Sequence, residues 1–339
     1  MEPWFKPTSE RADWQLRLSG APDTYEEARA QPPAVADPRA CFALDTYVLS
    51  LPAWSAGGRL KVADSERSCF LTVSPFEIDL LGDPRTRRWR FTAALVLLEI
   101  AATRMRQTSL DLHSAAVEAV GRSILIVGPK DAGKTTLAFY LLRSGSCRAL
   151  ANDRVFASAA GTAFVVHGVP TAVKIRQRTL VEFPELLRRL PAVERPYLYS
   201  LDELTQASPC GERTELAELA LSPPQLLRQL EVDARASAPL GAIVFPRIQG
   251  DVDGGDVVPL SPAEVRAGIW ANLYGNPSGR REPTVFEELD GGVIPPSPSL
   301  VDRLSRAVPG YRVLLGPRAY ATRELAARLL EIVTRGRSQ

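Results

Sequence analysis

The stretch that most constrains this chain is Ile-Leu-Ile-Val-Gly-Pro-Lys-Asp-Ala-Gly-Lys-Thr-Thr-Leu at residues 124–137. Its four leading apolar residues are mostly β-branched and predict a buried strand, and residues 136–142 predict the start of a helix. Between them Gly128, Gly133, Lys134 and Thr135 satisfy G-x-x-x-x-G-K-[ST] without a mismatch. In that spacing the glycines let backbone N–H groups curl around phosphate oxygens, and the helix N-terminus adds about half a positive charge. The predicted phosphate-binding set is Gly128, Asp131, Ala132, Gly133, Lys134, Thr135 and Thr136. Lys134 is expected to reach the β- and γ-phosphates and the Thr135 hydroxyl to sit on Mg2+, so ATP and Mg2+ are the expected cofactors. The carboxylate of Asp131 is expected to turn away, because like charges at short range repel strongly in a dry site.

At 339 residues the chain has room for about two domains, or one core with large embellishments. Its net charge is only +2, from 41 basic and 39 acidic residues, so no global field points to nucleic acid or an anionic membrane. Cys41, Cys69, Cys147 and Cys210 lie far apart, with only two histidines to join them, which predicts neither a zinc site nor a disulfide framework. The longest apolar run, residues 91–102, is too short for a membrane span and carries Glu99. The N-terminus lacks a charged region followed by an apolar core, and a cytoplasmic chain is expected.

Residues 1–38 show no sustained periodicity and are expected to be a loosely ordered arm. Residues 39–90 hold short alternating runs broken by Gly, Pro, Ser and Asp, which predict a small β-rich region. Residues 91–339 are expected to form the P-loop domain. Four arginines in residues 85–90 suit a solvated approach to a helix, or a docking patch for an acidic peptide or phosphate. A helix follows over 92–106, with Thr92 as its cap. Runs at 110–117 and 123–127, joined through Gly121, predict a hairpin entering the loop, and hence a mixed sheet. Further on, strands are expected at 148–151, at 164–166 and 173–176 around Pro170, and at 240–245, stopped by Pro246. Helices are expected over 177–190, after Ser261 as a cap, and over 322–333, with a strand at 311–315 before the last. Residues 250–256 read as a hairpin tip, and 276–298 as a long loop suited to a lid.

Asp153 follows Lys134 by nineteen residues, which leaves room for one helix, one turn and one strand. An aspartate at that strand end can hold Mg2+ beside Thr135, or take the proton from an attacking hydroxyl. The alternative is a turn cap pairing with Arg154. His113, with an unperturbed pKa near 6.5, is a second candidate for proton transfer; His167 matches no motif. Cations for the transition state are available at Lys174, Arg176, Arg247, Arg280 and Arg281, and Arg247 is favoured because strand ends line the crevice of such sheets.

Leu-His-Ser-Ala-Ala-Val at 112–117, the hairpin, the loop at 126–136 and Ala-Leu-Ala-Asn-Asp-Arg-Val at 149–155 together resemble the C-terminal domain of HPr kinase/phosphorylase. They are similar also to the diverged HPr-kinase-related proteins encoded with ribosomally made peptides such as lasso peptides. The resemblance covers roughly residues 110–156. It implies an α/β fold with a mixed-sheet P-loop kinase core of the HPr kinase/PEP carboxykinase type, preceded here by the mostly-β N-terminal region. It carries His113, the 128–135 loop, Asp153 as base and Mg2+ ligand, and assembly into a homo-oligomer. Two departures matter: Asn152 stands where the family has the first of two aspartates, and the Leu-Glu-Ile-Arg-Gly-Leu-Gly signature is absent. The latter argues against HPr as substrate and against a phosphorylase. The expected activity is therefore ATP-dependent transfer of the γ-phosphate to a Ser/Thr hydroxyl of a peptide or small protein, such as a ribosomal natural-product precursor. The expected catalytic set is Asp153, His113, Lys134 and Arg247, and no nucleic-acid or membrane partner is expected. Two other readings stand beside it: a nucleotide-binding regulator that has lost transfer because of Asn152, and a small-molecule kinase.

Overall fold

The computed structural model describes residues 15–30, 37–44, 47–75, 77–86, 89–171, 173–183, 186, 218–274, 284–290, 292 and 294–335. The chain divides into two units: a smaller one of residues 7–107 and 277–295, and a larger one containing 108–276 and 296–339.

The smaller unit is built on a six-stranded sheet ordered β1-β6-β5-β4-β3-β2, comprising β1 (Gln15–Ser19), β2 (Asp37–Leu44), β3 (Tyr47–Ala56), β4 (Arg59–Asp64), β5 (Cys69–Ser74) and β6 (Glu77–Gly82). In β5 and β6 every second residue is buried, which gives one apolar face carrying Leu71, Val73, Ile78 and Leu80. Helix α2 (Trp89–Met105) brings Ala93, Leu95 and Val96 to the same cluster. The short helix Val285–Leu289 supplies Phe286, whose ring stacks at 5.8 Å on Phe42. The boundary expected at residue 90 thus falls after α2, because the apolar face of that helix belongs to this core.

Two local expectations are corrected. Within the expected loose arm, residues 15–19 form β1, parallel to β6, and α1 (Pro22–Ala30) buries Tyr25 against Phe70 at 5.7 Å. Thr92 does not cap α2, which begins three residues earlier. Its hydroxyl instead donates at 2.7 Å to the buried carboxylate of Asp64, which also accepts from Arg67 at 3.0 Å. Arg85 forms ion pairs with Asp83 at 2.9 Å and Glu26 at 2.7 Å, so it behaves as a solvated, compensated charge; Arg87 and Arg88 lie outside the described residues.

The larger unit runs β7 (Ser109–Ala119), β8 (Arg122–Val127), α3 (Lys134–Arg143), β9 (Cys147–Ala151), β10 (Arg154–Ala160), β11 (Ala163–Gly168), β12 (Val173–Arg176), α4 (Gln177–Glu182), β13 (Glu218–Leu221), α5 (Pro223–Leu230), β14 (Ser237–Ile248), β15 (Gly255–Leu260) and α6 (Pro262–Trp270). After the short helix of the smaller unit, numbered α7, it resumes with α8 (Pro298–Ala307), β16 (Gly310–Leu315) and α9 (Glu324–Arg335). Its main sheet is ordered β11-β10-β7-β8-β14-β16-β15, with β9 also beside β7. The expected hairpin is present as β7 antiparallel to β8, while β14 runs parallel to both β8 and β16, so the sheet is mixed. β11 pairs as well with the start of β14, which closes β10, β7, β8, β14 and β11 into a ring.

β8 is buried on both faces, as its apolar run requires. Ile124 and Ile126 pack in the cluster with α3, α5 and α9, and Leu125 and Val127 in the cluster with α6 and α8. Pro246 does not end β14; it continues to Ile248, with Pro246 opposite Val313 of β16. Residues 250–254 are not a hairpin tip, because β16 lies between β14 and β15 and the segment crosses over its end. The strands flanking Pro170 separate, β12 pairing with β13 in a sheet of its own. The helix expected over 177–190 is described only as α4, with 187–190 outside the described residues. The expected long loop contains α7, capped by Thr284.

The crossing over β16 leaves no room at Gly316, where a Cβ would fall 1.6 Å from the Val252 carbonyl oxygen. Gly316→Ala is therefore expected to destabilise the chain by about 1–3 kcal/mol, the usual cost of overpacking, measured as a lowered urea midpoint.

Candidate functional site: a phosphate-binding loop and its flanking turn

Residues 128–133 leave the C-terminal end of β8 and turn into α3 through Gly133, which has φ 96. That left-handed conformation costs glycine nothing and would strain any other residue. A Cβ at Gly128 would stand 3.1 Å from that of Ala132, so the loop closes tightly on itself. No side chain caps α3, which leaves its first N–H groups directed out of the helix end, as an anion site requires. Lys134 is only 7% exposed, and its ammonium donates to the carbonyls of Gly128 at 2.7 Å and Pro129 at 3.0 Å. Its positive charge is thus held inside the curl of the loop. Asp131 also has a positive φ, of 69°, and its exposed carboxylate pairs with Arg176.

Across from the start of α3 lies the β9–β10 turn, Asn152-Asp153. The Thr135 hydroxyl donates to Asn152 Oδ1 at 3.1 Å, and the Thr171 hydroxyl donates to the Asn152 carbonyl at 2.7 Å. Asn152 is 7% exposed, and its Nδ2 is a buried donor with no hydrogen-bond acceptor among the described residues. Asp153 sits at φ 74, a conformation that aspartate tolerates better than most residues but that still stores strain. Its carbonyl accepts from Ser114 N at 3.3 Å and from the Tyr274 hydroxyl at 3.2 Å.

Arg154 turns to Asp111. It is buried and donates to Asp111 through Nε at 3.2 Å and Nη2 at 2.8 Å, with its guanidinium 5.0 Å from the Tyr274 ring centroid. In the β7–β10 register Arg154 stands opposite His113, whose ring lies 6.0 Å from that of Tyr274. The structure therefore brings His113, Asp153 and Tyr274 together beside the loop. His167 is remote from this group; it lies on β11, hydrogen-bonded to Ser158 at 2.8 Å, and burial holds its pKa below 6.5.

Arg247, the favoured cation, is corrected by strand alternation. Pro246 and Ile248 are the β14 residues that approach Gly128 and Gly133, so Arg247 between them leaves the opposite face of the sheet. Arg280 and Arg281 lie outside the described residues. Arg176 touches the loop through Asp131. Burial pushes the thiols of Cys41 and Cys69 up to about 12 and that of Cys147 up to about 11.

The donor set fits Mg2+ and a nucleoside triphosphate. Thr135 spends its proton on Asn152, which leaves the hydroxyl lone pairs for a cation, and Asp153 adds one carboxylate nearby in sequence. Among the described residues no group of three or more His, Cys, Asp or Glu side chains could cage a metal. Sequence reasoning missed Tyr274, Thr171 and the Asp111–Arg154 pair, because each reaches the site from a different strand or connection and no local pattern signals it.

No family model and no curated protein matches the chain. Among solved structures it is similar to the HPr(Ser) kinase/phosphatase from Coxiella burnetii, with 10% identity, 67% of this chain and 96% of that chain covered, and a TM-score of 0.28. A superposition of that quality carries no argument about chemistry. Among the described residues no helix is long and apolar enough to cross a membrane.

Two outcomes follow from the buried groups. Asp111→Ala strands the Arg154 charge and is expected to cost about 3–5 kcal/mol, read from the urea midpoint. Because the folded chain holds His167 neutral below 6.5, the unfolded chain binds more protons there, and stability is lost as pH falls through 6.5. The drop in urea midpoint between pH 7.5 and 5.5 is expected to be smaller in His167→Gln.

Proposed function

We propose that this chain is an ATP-dependent phosphotransferase that passes the γ-phosphate to a Ser/Thr hydroxyl of a peptide or small protein. One observation carries the reading: the Thr135 hydroxyl, at the head of the uncapped α3, is tied to the turn that presents Asp153. In this reading the N–H groups of residues 128–135 and the Lys134 ammonium hold the phosphates. Thr135 and Asp153 would hold Mg2+, which when bound would neutralise charge on the transferring phosphate. Asp153, or His113 across the strand pair, accepts the proton of the attacking hydroxyl. A strong base is not obligatory, because positioning and electrostatics dominate phosphoryl transfer.

Asn152 supports a second reading, a nucleotide-binding regulator without transfer. An amide has no useful basicity near neutral pH, and here its oxygen accepts from Thr135 and orients that hydroxyl. The two readings part on one experiment, incubation with γ-labelled ATP, Mg2+ and candidate precursor peptides. Label transfer that is lost in Lys134→Ala and falls at least about 100-fold in Asp153→Asn, the scale of a lost general base, supports the kinase. ATP binding with no label transferred above the Lys134→Ala control supports the regulator.

A further inference from the structure

Resting on the nucleotide reading above, we propose that Arg176 is the residue that receives the terminal phosphate of the bound nucleoside triphosphate, and that Asp131 holds its guanidinium in place until that phosphate arrives. Arg176 ends β12, where alternation sends Val173 and Ile175 into the core and leaves Lys174 and Arg176 on the outer side. It also occupies the N-cap position of α4. A cation there opposes the helix dipole, so local helix preference does not account for an arginine.

What fixes its position is the attachment of α4 to α3, the helix that follows the phosphate loop. Thr179 is buried, and its hydroxyl meets that of Thr136 in the first turn of α3 at 2.9 Å. At the other end of α4, Phe183 packs edge-on against Phe139 of α3 at 5.8 Å, under the Arg143 guanidinium at 4.6 Å. Both ends of α4 are therefore registered on α3, and the residue before α4 is carried to the loop, where Arg176 contacts Asp131.

An aspartate inside a phosphate-binding loop is a liability unless its charge is compensated. The pair compensates it and also parks the guanidinium at the loop. A phosphate group carries more charge than a carboxylate and suits the planar fork of arginine equally well, so it displaces Asp131 as partner. The exchange needs no covalent step. It makes the loop discriminate between triphosphate and diphosphate, since only the triphosphate brings the displacing group.

The test is calorimetric titration of the full chain, in Mg2+, with a non-hydrolysable ATP analogue and with ADP. Wild type is compared with Lys134→Ala, Arg176→Ala, Arg176→Lys and Asp131→Asn, each checked for a wild-type melting profile. The expected result is that Arg176→Ala weakens the triphosphate analogue about 10-fold or more, the value of a charge-assisted hydrogen bond, with ADP little changed. Arg176→Lys is expected to lose less, and Asp131→Asn to tighten the analogue. Equal loss for both nucleotides, no loss, or an Asp131→Asn variant that binds the analogue more weakly than wild type overturns the proposal. Should Arg176→Ala not fold, Arg176→Lys and Asp131→Asn decide by the same criteria. A wild-type chain that binds neither nucleotide, or a Lys134→Ala variant that binds as wild type does, overturns the nucleotide reading instead.

Discussion

The position of the phosphate loop depends on the pairing of β8 with strands on both sides. β8 is antiparallel to β7 and parallel to β14, and its side chains are buried on both faces. A strand held in two ladders and two cores has no freedom to slip, since a one-residue shift would exchange its faces. The loop therefore leaves the sheet at a fixed place and direction. The same neighbour, β14, then sends Pro246 and Ile248 against Gly128 and Gly133. Gly133 is required by its φ of 96°, and at Gly128 a Cβ would press to 3.1 Å from that of Ala132.

The second half of the site is assembled from elements that meet only through the sheet. The β9–β10 turn is placed because β7 pairs with both strands, β9 along its C-terminal half and β10 along its N-terminal half. The strand change falls at Asn152-Asp153, which puts Asp153 in a left-handed conformation and aims Asn152 at Thr135. Where the resemblance leads one to expect a carboxylate, the Asn152 amide orients the Thr135 hydroxyl, with Asp153 next along the turn and His113 opposite Arg154.

Much of this was legible in the sequence. The loop, its strand and helix, the preceding hairpin and the strand leading to Asp153 are all short-range patterns whose physics is local. Arg247 was misjudged because a strand-end argument ignores parity, and parity is set by which neighbours, Pro246 and Ile248, face the loop. The pairing of Arg154 with Asp111, and the contact of Arg176 with Asp131, depend on register between segments tens of residues apart. Pro246 was read as a stop because proline lacks an N–H. The ladder with β8 ends at Val244, so β14 runs on through Pro246 paired with β16 alone, where the missing donor interrupts no second ladder.

The smaller unit is discontinuous in sequence. Its sheet and α2 come from the first 107 residues, but Phe286, stacked on Phe42, comes from a segment that follows most of the larger unit. Arg106 reaches the same late segment, meeting Glu287 at 2.5 Å in a buried setting. No single cut in the polypeptide can therefore free an intact N-terminal half. A chain ended near residue 107 would expose the apolar pocket that α7 fills, and one begun near residue 108 would carry α7 as an exposed, partnerless helix. During synthesis the early sheet must wait, with its core open, until some 170 more residues have left the ribosome, a delay of roughly ten seconds or more at ordinary elongation rates.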